Sequence, residues 1–315
     1  MKLIRIGVVG TGKMGTYHCH KLKQMKNVEF AGIYDKDLEK AREIASQIDV
    51  RAFESYQDLL KNVEAVVIAA PTRLHFALVK EAILADKHIL VEKPITVSIE
   101  EANNIKSLLS NKELIFQVGH IERFNPVIQQ LSKCLDRDKM ISVEAKRLGL
   151  SNRIKDSDVV LDVMIHDIDI LLSLVDSPIS RIAAEGVRGS KVNHFDTVTA
   201  LISFENGVIA TLTASNASHE KERTLTILEE EKVIRTDYLT RRQRIVKNGT
   251  ASVEHPFEIE SEILILTTPL ADPLHQELEH FAACIRNEVQ PLVGVHQGYA
   301  AVEVALEIKG LLEKK

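Results

Sequence analysis

The residues able to do chemistry fall into groups along the chain. Gly10-Thr11-Gly12-Lys13-Met14-Gly15 is a GxGxxG loop, and Asp35 follows it. Glu92-Lys93-Pro94 joins a carboxylate and an ammonium to a ring-fixed turn, and Asp162, His166, Asp169 and Ser173 recur at i, i+4, i+7 and i+11. In a loop of this kind the first glycine allows a tight turn. The second admits a pyrophosphate against the backbone, and the third lets a helix pack on a strand. A helix opening there offers unpaired N–H groups and a partial positive charge to phosphates. Asp35 stands about 20 residues beyond the loop, where a carboxylate accepts hydrogen bonds from a ribose 2′-OH. The same carboxylate repels a 2′-phosphate, so the spacing predicts NAD as cofactor rather than NADP. Lys36 weakens that preference without reversing it.

The other groups suit proton chemistry. A lysine placed after a buried apolar strand is desolvated and set beside a ligand, and Pro94 fixes the turn that aims Lys93. A surface Glu-Lys pair at a strand end is the alternative. Over 162–175 a helix is expected, with Leu161, Met164, Ile165, Ile168, Leu171, Leu172 and Val175 making a broad apolar face. Asp162, His166, Asp169 and Ser173 then share one line, and a polar line on a buried helix is costly unless its groups are paired or face a cavity. An imidazole between carboxylates is oriented, and its pKa is raised, which suits a general base near neutral pH. A capped helix with a satisfied core histidine would have the same pattern.

The elements that must position these residues divide the chain in two. Over the first 120 residues the apolar runs Leu3–Val9, Val28–Tyr34, Ala65–Ala70, His88–Val91 and Leu114–Val118 read as buried strands. Met14, His18, Leu22 and Met25 recur at helical spacing, and Ser98 with Glu101 makes a capping box opening a helix to about Leu109. Such alternation means βαβ units and a doubly wound parallel sheet of the Rossmann kind. Beyond it, Ile182–Val187, Thr197–Phe204, Val208–Ala214, Thr224–Leu228 and Lys232–Thr236 read as a mainly antiparallel sheet, closed by helices near His275–Asn287 and Gln297–Leu312. Asn206-Gly207 signals a type I′ hairpin and Asn248-Gly249 a second. The expected domains are 1–120, binding a dinucleotide, and 121–315, binding substrate and mediating association. The C-terminal helix is free to pack back on the first domain.

Composition narrows the class. The chain has 315 residues, 45% apolar and 27% charged, with a net charge of −5. At roughly 150 residues per domain that length suits two domains of a globular enzyme. A whole-protein basic footprint for nucleic acid is absent. No apolar run approaches the ~18 residues of a membrane span. Lys2 and Arg5 precede apolar residues, but the run breaks at Gly10-Thr11-Gly12-Lys13, too early for a signal-peptide core. Cys19, Cys134 and Cys284 form no CxxC pair, which fits a reducing compartment, so a cytoplasmic location is expected.

Other clusters carry competing readings. Adjacent helix residues in His18-Cys19-His20 point in different directions, and no further ligand follows at zinc spacing, so packing is favoured and no metal is expected. Arg241-Arg242-Gln243-Arg244, balanced by Glu229-Glu230-Glu231, decorates an exposed strand or hairpin. His120-Ile-Glu-Arg123-Phe-Asn-Pro126 follows the last strand of the first domain. Arg147 and Arg153 flank Gly149 in an expected loop. With Arg123, they either fork onto substrate phosphates or make surface salt bridges.

In order and spacing, the Gly10–Gly15 loop, Asp35, Glu92-Lys93-Pro94 and the Asp162–Asp169 segment resemble the Gfo/Idh/MocA oxidoreductases over essentially the whole chain. The resemblance implies a Rossmann domain followed by an α/β domain with a large open sheet. It implies a sugar or cyclitol bound between the domains, with Lys93, Asp162 and His166 at the reacting carbinol. Ala70-Pro71-Thr72-Arg73-Leu74-His75 is similar to a family loop near the cofactor. Arg73 replaces its usual asparagine, so Pro71 and Thr72 alone join Glu92 and Lys93 as expected cofactor neighbours. Val118–Pro126 and Val160–Asp169 look most like members that oxidise the 3-hydroxyl of UDP-N-acetylglucosamine. Their 3-keto product is aminated by a partner aminotransferase, and Arg123, Arg147 and Arg153 would then meet the pyrophosphate. The resemblance also implies a homodimer or homotetramer joined through the open sheet, where Thr211, Thr213, Ser215 and Ala217 alternate. A myo-inositol or free-sugar dehydrogenase, an imine or tetrapyrrole reductase and a non-catalytic dinucleotide-binding regulator are the rival readings.

Overall fold

The computed structural model describes residues 3–150, 159–189, 194–247 and 261–314. They divide into two compact units, one formed by 1–124 with 272–302 and the other by 125–271 with 303–315. The first unit therefore takes in a late segment as well as the N-terminal residues.

In the first unit, β1 (Ile4–Val9), α1 (Lys13–Gln24), β2 (Val28–Tyr34), α2 (Leu38–Ile48), β3 (Arg51–Ala52), α3 (Tyr56–Asn62), β4 (Ala65–Ile68), α4 (His75–Leu84), β5 (His88–Glu92), α5 (Ile99–Leu109) and β6 (Phe116–Gly119) follow one another. The strands are parallel in the order β3-β2-β1-β4-β5-β6. This is a doubly wound order whose direction reverses between β1 and β4, the switch point where such sheets bind ligands. Every residue of β4 and β6 is buried, as a sheet covered on both faces requires. Side chains open the helices: Asp37 accepts from the Lys40 N–H, Ser55 from Asp58 and Ser98 from Glu101. The returning carboxylate of the expected capping box, Glu101, bonds the Val97 N–H, one residue ahead of the cap.

The second unit starts with α6 (Pro126–Cys134), capped by Asn125. Its sheet has eight strands, β7 (Met140–Leu150), β8 (Ile179–Arg188), β9 (Phe195–Phe204), β10 (Ile209–Ser215), β11 (Ala217–Glu229), β12 (Lys232–Asp237), β13 (Arg242–Lys247) and β14 (Glu262–Thr267), ordered β14-β13-β12-β11-β7-β10-β9-β8. All pairs are antiparallel except β7 with β10. Before β8, a π-helical turn at Val160–Met164 runs into α7 (Ile165–Leu174). Burial alternates along β9, so one face of the sheet packs inward while the other carries half-exposed side chains such as Leu201. Two helices close the chain, α8 (Pro273–Ile285) in the first unit and α9 (Val295–Glu313), which runs through residue 302 into the second. Among the described residues no helix is long and apolar enough to cross a membrane.

Several expectations need correction. The helix expected over 162–175 is a π turn followed by a shorter α-helix, which interrupts the 100° stepping that put Asp162 in line with His166. The β9–β10 hairpin exists, but its turn is not type I′. Gly207 alone has positive φ (89°), and its N–H bonds the Phe204 carbonyl at 3.1 Å. That pattern is a type I turn followed by a left-handed glycine, which Asn206 enters without needing positive φ. Arg147 lies within β7, not in a loop. Asn248-Gly249 and Arg153 fall outside the described residues.

Candidate functional site

The glycine loop is built by close contacts. Gly10 has φ 93°, and a Cβ there would sit 2.8 Å from the Ala69 carbonyl oxygen. A Cβ on Gly15 would lie only 1.9 Å from the Gly10 carbonyl oxygen, so α1 can approach β1 this closely only with glycine. Gly12 differs: a Cβ would meet nothing within 4 Å. Gly12 caps α1 with no side-chain hydrogen bond, and the first turn, with Lys13, Met14 and Gly15, holds no acidic residue. Open space at the second glycine, before a helix start that no side chain caps, fits a pyrophosphate on the backbone. Lys13 folds its ammonium over the Tyr17 ring, 5.9 Å from the centroid.

Asp35, just past β2, closes on this loop. One oxygen accepts from the Thr11 N–H at 2.6 Å and the Thr11 hydroxyl at 2.7 Å, and the other accepts from the Asp37 N–H at 2.9 Å. Burial pushes its carboxyl up, but the Asp37 and Thr11 donors together hold it below the ordinary range. The first oxygen has both lone pairs taken by Thr11, but the second accepts one bond and keeps a lone pair, so a ribose hydroxyl can be accepted there without breaking these bonds.

Across the switch point, Pro71 is exposed and Thr72 half-buried at the 3-10 turn Thr72–Leu74. His75 starts α4 and is buried, with Nδ1 2.8 Å from the Pro94 carbonyl and Nε2 2.9 Å from the Ala70 carbonyl. It ties the Ala70-Pro71 loop to the cis Lys93-Pro94 turn. Burial pushes its pKa down against the pull of those carbonyls. Nothing in the sequence singled His75 out beyond its place in the loop.

Lys93 is half-buried just after β5, and Glu92 is its buried neighbour. Glu92 Oε1 lies 2.8 Å from Nε2 of His18 on α1. Burial pushes the Glu92 carboxyl up, but His18, then Lys93 and His75, bring it below the usual range. His18 thus faces a carboxylate 74 residues away, and His20 of the same tripeptide is exposed. Burial pushes the Cys19 thiol up to about 12.

In the second unit, Asp162 on the π turn and His166 in the first turn of α7 are half-buried, and Asp169 is buried. Ser173 turns its hydroxyl onto the Ile170 carbonyl at 2.6 Å. Asp167 is the neighbour that the sequence reading passed over. Its carboxylate takes both prongs of Arg147, Nε at 2.9 Å and NH2 at 2.8 Å, and each side chain is only 4% exposed. The guanidinium also stands 5.3 Å from the Tyr238 ring centroid. The fork expected for a phosphate is therefore turned onto α7. Arg123 lies half-buried on the 3-10 turn Ile121–Phe124 in the first unit.

Residues 4–120 match the model of an oxidoreductase family with an NAD-binding Rossmann fold, and residues 145–235 match the GFO/IDH/MocA C-terminal domain. The UDP-N-acetylglucosamine 3-dehydrogenase of Acidithiobacillus ferrooxidans is 32% identical over 311 residues, 98% of this chain and 97% of that protein. The chain belongs to the Gfo/Idh/MocA oxidoreductase family. A solved structure of UDP-N-acetylglucosamine 3-dehydrogenase from Acidithiobacillus ferrooxidans superposes with a TM-score of 0.92 at 30% identity, covering 100% of this chain and 99% of that one. The scyllo-inositol 2-dehydrogenase (NAD(+)) of Bacillus subtilis is 25% identical over 92% of this chain and 88% of its own length. Both sheets have the family's expected character: a parallel Rossmann sheet, then a large, mainly antiparallel one.

Proposed function

We propose that this oxidoreductase oxidises the 3-hydroxyl of a UDP-N-acetyl-hexosamine to a 3-keto sugar, with NAD as the hydride acceptor. What carries the reading is the similarity to UDP-N-acetylglucosamine 3-dehydrogenase along nearly the whole of both chains. On this reading residues 1–120 bind the dinucleotide, and 121–315 bind substrate and associate. Gly10, Thr11, Gly12, Lys13, Met14 and Gly15 hold the pyrophosphate, Asp35 the adenosine ribose, and Pro71, Thr72, Glu92 and Lys93 border the nicotinamide. When bound, NAD supplies a cationic ring that accepts hydride from the carbinol carbon.

The chain's own groups handle the proton. Lys93 and His166 meet the reacting hydroxyl, where one takes the proton and the other steadies the developing alkoxide. Asp162 orients this pair. Arg123 and Arg153 are assigned to the substrate pyrophosphate. Arg147, whose fork Asp167 occupies, is reassigned to holding α7 against β7.

Two further parts belong to the same reading. The half-exposed face of the large sheet joins copies of the chain into a homodimer or homotetramer, which sedimentation at micromolar concentration tests. An aminotransferase consumes the ketone, and a cytoplasmic location supplies both nucleotide sugar and NAD. The chemistry is tested by incubating enzyme, NAD and UDP-N-acetylglucosamine with a sugar aminotransferase and an amino donor. An amino sugar nucleotide in the mass spectrum supports the reading, whereas reduced cofactor without a trappable ketone contradicts it.

A further inference from the structure

The side chain of Glu277 on α8 is fully buried, and neither carboxylate oxygen has a hydrogen-bond partner among the described residues. It faces a cluster within the first unit: one ligand-type atom each from His18, Glu92 and Glu277 lie within 4.8 Å of one another. Glu92 is held from two sides. His18 bonds its Oε1, and a Cβ on Gly119 would stand 3.2 Å from its Oε2, so β6 packs closely over the carboxylate at a glycine. Gln117 of β6 donates to the main-chain carbonyl of Glu277 at 3.2 Å, fixing that turn of α8 while bringing no charge.

Two carboxylates in one buried site do not both ionise cheaply, because each repels the other and neither is solvated. The favourable partners belong to Glu92: His18 bonds it from α1, and the Lys93 ammonium follows it in sequence. Glu277 has none of these. Burial, with the charge of Glu92, pushes its carboxyl well above the ordinary range.

We propose that Glu277 is a neutral carboxylic acid and a positioning residue, its hydroxyl and the His18 ring together clamping the Glu92 carboxylate at the head of the Lys93 turn. The acid O–H is then a donor within side-chain rotation of Glu92, and one acidic proton serves the pair. This role rests on the reading that Glu92 borders the nicotinamide. A carboxylate fixed at that edge favours the cationic oxidised ring over the neutral reduced one.

Infrared difference spectra of the full-length protein against Glu277→Gln, at neutral pH and without ligand, read the protonation directly. The wild type should show the C=O band of a neutral carboxylic acid that the variant lacks. Loss of a carboxylate band instead would overturn the proposal. So would one equivalent of divalent metal per chain in the purified protein, because an ion would keep both carboxylates ionised.

Positioning is read from dissociation constants for NAD⁺ and NADH. Glu277→Gln keeps a neutral donor and should keep the wild-type ratio of the two. Glu277→Met fills the volume without a donor, and should weaken NAD⁺ relative to NADH by about 3–10-fold, the loss of one hydrogen bond. A wild-type ratio in Glu277→Met, or a Glu277→Gln protein that loses NAD⁺ preference, removes the positioning role. No sugar enters these measurements, so they stand or fall independently of the substrate assignment.

Discussion

Replacing Arg147 with methionine separates an internal strut from a substrate clamp. Arg147 and Asp167 are each 4% exposed and joined by two charge-assisted bonds of 2.9 and 2.8 Å. The variant keeps the aliphatic stem but leaves a buried carboxylate without its counter-charge, which costs about 3–5 kcal/mol. A unit of this size loses ~2–4 °C per kcal/mol, so the midpoint should fall by roughly 6–20 °C. Arg147→Met/Asp167→Leu removes both charges together and should recover most of the loss, because an apolar pair of similar volume replaces a buried ion pair at little cost. Thermal melts followed by circular dichroism, without ligand, measure all three proteins. An Arg147→Met midpoint within about 2 °C of wild type would mean that the pair is no internal strut, since a buried ion pair broken on one side costs more than that.

The proposed cofactor loop and proposed catalytic groups yield sharper contrasts. Gly12→Ala should keep the wild-type melting temperature and lose NAD affinity at least about tenfold, whereas Gly15→Ala should be unstable even without cofactor. A Gly12→Ala protein with wild-type affinity would contradict the cradle. Asp35 should enforce NAD over NADP, and Asp35→Ser with an added arginine should erode that preference; equal wild-type kinetics with both cofactors would sink it. Because the Asp35 carboxyl titrates lower when folded, its stabilising contribution is present above the unfolded pKa of about 3.9 and is lost as pH falls through the folded value. The stability gap between wild type and Asp35→Asn should accordingly shrink below about pH 4 in acid melts. Lys93→Ala and His166→Ala should each lower turnover about 10²–10⁴-fold with little change in NAD affinity. Wild-type turnover in either removes that residue from the mechanism.

The first unit is legible because its central strands are almost wholly buried: every residue of β4 and β6 is, and β1 and β5 each hold a single half-buried one. Ile4–Val9, Val28–Tyr34 and Ala65–Ile68 stand out as apolar runs between helical patterns. Only β3, two residues long, carries too little pattern to see. In the second unit, strands with one open face mix charge into the run. Met140–Leu150 alternates buried Val143, Ala145 and Arg147 with exposed or half-exposed neighbours, and Arg147 within it reads as part of a loop. Arg241-Arg242-Gln243-Arg244 reads as decorating an exposed strand or hairpin, and Arg242–Lys247 is a strand, but Gln243 within it is buried and bonds the Val127 carbonyl. The glycine loop, Asp35 and Lys93 stand out as candidates because their chemistry is local in sequence. Pairs that meet only after folding, His18 with Glu92 and Arg147 with Asp167, leave no trace in spacing. The one available signal was a charge inside an otherwise apolar element.

NADH formation with UDP-N-acetylglucosamine, measured beside myo-inositol, scyllo-inositol and glucose under the same conditions, separates a nucleotide-sugar dehydrogenase from a cyclitol or free-sugar one. On the proposed function, kcat/KM for the nucleotide sugar should exceed that for each free sugar or cyclitol by at least about 100-fold, the worth of two or more phosphate contacts. Turnover of an inositol with none of the nucleotide sugar would contradict it.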